Sequence, residues 1–123
     1  MLTEKFFEVI SHEGVVSIIS WGKGEPHVAN TWNSYLTLTK DNKILIPAGV
    51  MVKTEANIKE NNKVKMTLGS KEVQGHFTQG AGFRLEGTAK FISLGEEYDM
   101  MKEKFPFLTR VLEITLTEIE QTL

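Results

Sequence analysis

Two short segments carry side chains whose types and spacing could hold a flat, charged ligand. The first is Ala48-Gly49-Val50-Met51-Val52-Lys53-Thr54. A glycine ahead of a helix start lets the backbone come close to a ligand. Free N–H groups at that start, the Lys53 ammonium and the Thr54 hydroxyl together suit a phosphate. The same residues also fit an ordinary turn with a capping threonine and a solvated lysine. They do not form a P-loop, because the glycine count and the Gly-Lys-Ser/Thr ending are missing. The second segment is Asn30-Thr31-Trp32-Asn33-Ser34-Tyr35. Amide and hydroxyl groups alternating with two large aromatics could bind phosphate, a polyol chain or the edge of a ring, and Trp32 and Tyr35 could pack on a flat aromatic ligand. Alternatively, Trp32 belongs to the core and its polar neighbours face water.

Other chemistry finds less support. His12, His27 and His76 are far apart, and no pair has the i, i+2 or i, i+4 spacing of metal ligands. There is no cysteine among the 123 residues, which excludes disulfides, thiolate metal sites and a cysteine nucleophile. No Gly-x-Ser-x-Gly elbow occurs, and no residue stands out as a general acid, base or nucleophile. Redox chemistry would therefore have to come from a bound group. A net charge of −2 with no basic stripe argues against nucleic acid. No apolar run approaches the ~20 residues of a membrane span. The first residues bring acids where a secretion signal needs a basic, then apolar, stretch. A cytoplasmic protein is the expectation.

The elements that would position these segments can be read from periodicity. Residues 4–12 space Phe6, Phe7, Val9 and Ile10 as a short helix ending at Gly14. Residues 15–21 are β-branched and aromatic, and predict a strand. A turn at 22–26 leads to a second strand from 27 to about 39, with Val28, Asn30, Trp32 and Ser34 on one face. Residues 44–47 form a further strand closed by Pro47. A short helix is expected over 55–60 with Thr54 as N-cap, followed by a strictly alternating strand over 63–70. The three glycines between 75 and 82 read as a long loop. A strand over 83–93, a helix over 95–104 with Tyr98, Met101 and Phe105 near one face, and a last strand over 110–119 complete the chain. Alternation predicts one wet face per sheet, and short connections predict antiparallel pairing. The sum is one all-β-dominated domain over residues 1–123, with about six strands and short helices.

Residues 30–36, Met51-x-Lys53-Thr54-Glu55-Ala56-Asn57, Met66-Thr67-Leu68-Gly69-Ser70 and the ending Glu120-Gln121-Thr122-Leu123 have a further meaning in combination. In this order they closely resemble the small bacterial FMN-binding proteins of the flavin split-barrel group, which includes the pyridoxamine 5′-phosphate oxidase-like and flavin reductase-like proteins. The resemblance runs over essentially the whole chain. It implies a six-stranded antiparallel split β-barrel with peripheral helices, and a homodimer with non-covalent FMN close to the subunit boundary. By motif match, it assigns Asn30, Thr31, Lys53 and Thr54 to the phosphate and ribityl chain, and Trp32 and Tyr35 to the isoalloxazine ring. Gly49 to Met51 would offer backbone groups to the ring. Leu123 would reach the flavin of the partner subunit, and Glu13 would influence the ring electrostatically. Two departures stand out. The family's Gly-Gly before Met51 is Gly49-Val50 here, and Val50 is a poor occupant of any position needing positive φ. A family tryptophan beside the flavin is replaced within Pro106-Phe107-Leu108, with Phe107 as its equivalent.

Three functions fit this resemblance. One is an electron carrier working through FMN with an unknown redox partner. Another is a flavin-dependent oxidase or reductase, and the last is an FMN store or sensor. A second basic phosphate cluster, which a phosphorylated substrate would need, is missing.

Overall fold

The computed structural model describes residues 2–123. Its elements in chain order are α1 (Glu4–Ile10), β1 (Val15–Ser20), β2 (His27–Trp32), a single 3-10 turn (Asn33–Tyr35), β3 (Thr37–Leu38), β4 (Lys43–Ala48), α2 (Val52–Glu60), β5 (Lys63–Gln74), β6 (Gln79–Ile92), α3 (Glu96–Lys104) and β7 (Arg110–Gln121). All strand pairs are antiparallel, in one sheet of order β2-β1-β5-β6-β7-β4-β3. The edge strands β2 and β3 are joined by residues 33–36 alone. Four residues span at most about 14 Å, so the sheet must curl until its two edges nearly meet. That is a split barrel: six strands of six residues or more, with the two-residue β3 added at one edge.

The barrel interior is apolar. Ile18, Ile46, Met66, Leu85 and Ile114 are fully buried there, and α1 closes one end by inserting Phe6 against Phe83, edge to face at 5.3 Å. Thr3 caps α1, accepting from the Phe6 N–H at 3.2 Å. A second cluster of Leu45, Met101, Leu108 and Val111 lies outside the barrel, where α3 covers β4 and β7. Here the expectation of one wet face fails: residues 111–114 of β7 are buried on both sides. Even Glu113 is only 5% exposed, its carboxylate 3.6 Å from the Lys43 ammonium and 3.9 Å from that of Lys90.

The strand expected from 27 to about 39 is broken at Asn33. The cause is the Asn33 side chain, which is buried and donates through Nδ2 to the carbonyls of His12 (2.9 Å), Gly69 (3.1 Å) and Val9 (3.4 Å). Pulled inward to serve them, the backbone leaves the ladder and turns. Ser34 therefore leaves the face that Val28, Asn30 and Trp32 share. The expected long loop at 75–82 is a tight hairpin instead, closed by the Gly75 N–H on the Thr78 carbonyl at 2.9 Å. Gly80 takes a φ of +117°, and a Cβ on Gly75 would overlap the Gly80 carbonyl. These glycines serve close approach within paired strands.

Candidate functional site

A groove of about 660 Å³ lies where the open edge β2 faces the start of α2. Seven of the nine residues expected to bind a ligand line it: Asn30, Thr31, Trp32 and Tyr35 from β2 and the turn after it, and Gly49, Met51 and Lys53 from the segment entering α2. β2 pairs only with β1, so its other edge is open at the groove. Thr31 is buried, whereas Asn30 and Trp32 are exposed on the opposite face. The Asn30 amide is anchored by donating to the Val16 carbonyl (3.1 Å) and the Ser17 hydroxyl (3.2 Å). Trp32 is 44% exposed toward the groove, so the reading that puts it in the core does not hold.

One wall is aromatic. Tyr35 packs on Phe105 and Phe107 with ring centroids 5.3 Å and 5.7 Å apart, and Phe107 reaches the groove, half exposed. The loop carrying Phe107 is fixed from below, where the Lys102 ammonium donates to the carbonyls of Pro106 (2.9 Å) and Leu108 (2.6 Å).

The turn into α2 lines the same groove, with Gly49 beside Phe107. This helix starts at Val52, three residues before the expected Glu55, and its N-cap is Met51 rather than Thr54. Met51 sits in the left-handed region at φ 48°, ψ 37°. Such a conformation costs a non-glycine residue about 1–2 kcal/mol. Val50 has no positive φ, so it fits this turn without left-handed strain. The bend is held by Arg110, whose guanidinium donates to the Val50 carbonyl at 2.7 Å, and by Thr109, whose hydroxyl donates to the Gly49 carbonyl at 3.0 Å. Nothing in the local sequence around Arg110 signals this role, which arises from the β4–β7 register. Val15 and His27 also line the groove without a sequence signal.

Thr54 is not on the groove surface. It is fully buried in the first turn of α2, and its hydroxyl has no hydrogen-bond partner among the described residues. A buried hydroxyl left this way costs about 1–3 kcal/mol. The N–H groups of Val50 and Met51 likewise donate to no acceptor among the described residues. They stand just ahead of the start of α2, where the exposed Lys53 and the helix dipole favour an anion.

Leu123 lies elsewhere. It borders a second cavity of about 500 Å³ with Glu13, Ser70, Lys71 and Gly82. Val15 lines both cavities, so the two adjoin along β1. Glu13 is tied to the turn after Trp32: its carboxylate accepts from the Ser34 hydroxyl at 2.7 Å and the Ser34 N–H at 3.1 Å. These bonds, the hydroxyl's first, hold its pKa below the usual carboxylate value.

The pyridoxamine 5′-phosphate oxidase family model matches residues 2–123. An FMN-binding protein of Nitratidesulfovibrio vulgaris (strain DSM 19637 / Miyazaki F) is 45% identical over 123 residues, covering 100% of both chains. Among solved structures, the HupZ protein of Group A Streptococcus superposes with a TM-score of 0.81 at 20% identity, over 98% of this chain and 94% of that one. An FMN-binding protein from Syntrophomonas wolfei subsp. wolfei gives a TM-score of 0.72 at 19% identity, over 88% of this chain and 76% of that one. The two structural likenesses carry the fold.

Proposed function

Because the chain belongs to the pyridoxamine 5′-phosphate oxidase family, we propose that its groove holds FMN non-covalently and that the protein is a homodimeric electron carrier. The observation that carries this reading is a set of unused donors at the start of α2 lining the same groove as the aromatic residues Trp32, Tyr35 and Phe107. A flavin phosphate bears roughly −1.5 to −2 charges near pH 7, and Lys53 offsets that charge together with the first-turn N–H groups of α2, at Val52 and Lys53. Trp32, Tyr35 and Phe107 give a flat ring an apolar slot. The full-length relative that binds FMN supports the same cofactor. Bound FMN would supply reversible one- and two-electron chemistry, while the protein sets its access and its potential.

A second copy of the chain suits the exposed face of β1 and β2. Val15 (51%), Val28 (56%) and Trp32 (44%) are all accessible there, an apolar group on one exposed face. The cavity bearing Leu123 adjoins this face through Val15. A partner docked here would bring its own Leu123 terminus toward the ring end of the groove. Among the described residues no helix is long and apolar enough to cross a membrane.

The test is reduction of the FMN-loaded protein under anaerobic conditions. A carrier takes up and returns electrons reversibly, and does not turn over NAD(P)H or pyridoxamine 5′-phosphate. Steady turnover of either compound would make the protein an oxidoreductase enzyme.

A further inference from the structure

Arg110 opens β7 opposite Ala48, but its side chain folds back across the strand end. Nη2 donates to the Val50 carbonyl at 2.7 Å, and Nη1 donates to the Thr109 hydroxyl at 2.6 Å and more distantly to the Gly49 carbonyl at 3.5 Å. Nε stands 3.2 Å from the Glu55 carboxylate on α2, without the alignment of a hydrogen bond. The guanidinium carbon lies 4.9 Å from the centre of the Phe91 ring. One cation thus ties the turn at 49–51 to α2, β6 and β7. Its side chain is only 17% exposed.

The peptide unit is planar and trans, so its C=O and N–H point in opposite directions. With the carbonyls of Gly49 and Val50 turned toward Arg110 and Thr109, the N–H groups of Val50 and Met51 point the other way. Both residues line the groove, and no protein acceptor among the described residues takes either N–H. We infer that Arg110 is a positioning residue for the flavin ring: it locks the Gly49-Val50-Met51 turn in the peptide orientation that aims these two N–H groups at the ring's polar edge. The inference rests on the FMN reading above. It also explains how Val50 is accommodated where glycine would bend unaided, since Arg110 braces the turn in which Met51 takes the left-handed conformation. Arg110 acts on the ring edge and Lys53 on the phosphate, so their effects separate.

The experiment compares wild type, Arg110→Met and Arg110→Lys for binding of FMN and of riboflavin, with the visible bands of the bound flavin recorded for each. Circular dichroism checks the fold. Arg110→Met is expected to weaken FMN and riboflavin by the same factor, about tenfold, and to move the bound flavin's bands toward those of the free flavin. Arg110→Lys keeps the cation beside Glu55 but cannot hold the turn with a planar fork. It is expected to fold and to shift the bands in the same direction by less. Arg110 has no such role if both folded variants keep wild-type bands and affinity, or if FMN is weakened while riboflavin is untouched. If Arg110→Met does not fold, unchanged bands in Arg110→Lys overturn the inference. A wild type that binds no FMN fails at the parent reading, and this inference falls with it.

Discussion

Val15 stands directly across the β1–β2 ladder from Trp32, and both side chains are about half exposed. The pair marks the border between the groove and the cavity bearing Leu123, because Val15 lines both. An apolar border of this kind stays dry only if something covers it. Replacing Val15 by glutamate puts a charge there at little cost to the isolated subunit, since the position is already accessible. Sedimentation is expected to give twice the chain mass for the wild type and a monomer for Val15→Glu. A wild type that sediments as a monomer contradicts the dimer.

Lys53 extends from the second residue of α2 into solvent at the groove. A hydrogen bond to a charged group contributes about 1.5–3 kcal/mol, and exposure places Lys53 near the lower end of that range. Lys53→Ala is expected to weaken FMN roughly tenfold by fluorescence titration, and to leave riboflavin binding unchanged. Equal affinity of wild type and variant for FMN would remove Lys53 from the phosphate.

Trp32 lines the same groove as Tyr35 and Phe107 and is 44% exposed. An indole stacked on a flavin quenches its emission by electron donation. Flavin bound to Trp32→Phe is expected to be brighter than flavin bound to the wild type. Equal brightness would mean that Trp32 does not stack.

Glu13 accepts hydrogen bonds from Ser34 and Gly14, which lower its folded pKa. A depressed carboxylate pKa stabilises the fold above the unfolded value, and the contribution disappears as pH falls through the folded value. Urea midpoints of wild type and Glu13→Gln are therefore expected to differ near pH 7 and to approach each other as pH falls below the ordinary carboxylate range. A difference that persists at the acid end would show that the Glu13 charge is not the cause.

Much of the barrel is legible in the residue pattern. The alternation of Val64, Met66 and Leu68 fixes the inner face of β5, and the helix bearing Met101 forms over Glu96–Lys104, one residue from its expected start. The site is legible in part. Asn30, Trp32, Gly49 and Lys53 converge on one groove although they come from separate segments. What the pattern cannot carry is long-range backbone bonding. Asn33 breaks a strand because three distant carbonyls need its amide. Arg110 bends a turn 60 residues earlier in the chain. Thr54 has the side chain of an N-cap, but the helix starts at Val52 once that turn is braced, and the threonine is carried inside. The glycines at 75 and 80 look like loop residues in sequence, yet they mark where two strands and the chain terminus press together.

The most direct test of the central claim is a titration of the apo protein with FMN, followed by flavin fluorescence. Quenching that saturates at one FMN per chain, with a Kd of about 1 μM or tighter, is the expected result. Fluorescence that stays unquenched as FMN is raised well past that concentration would contradict the assignment of the groove.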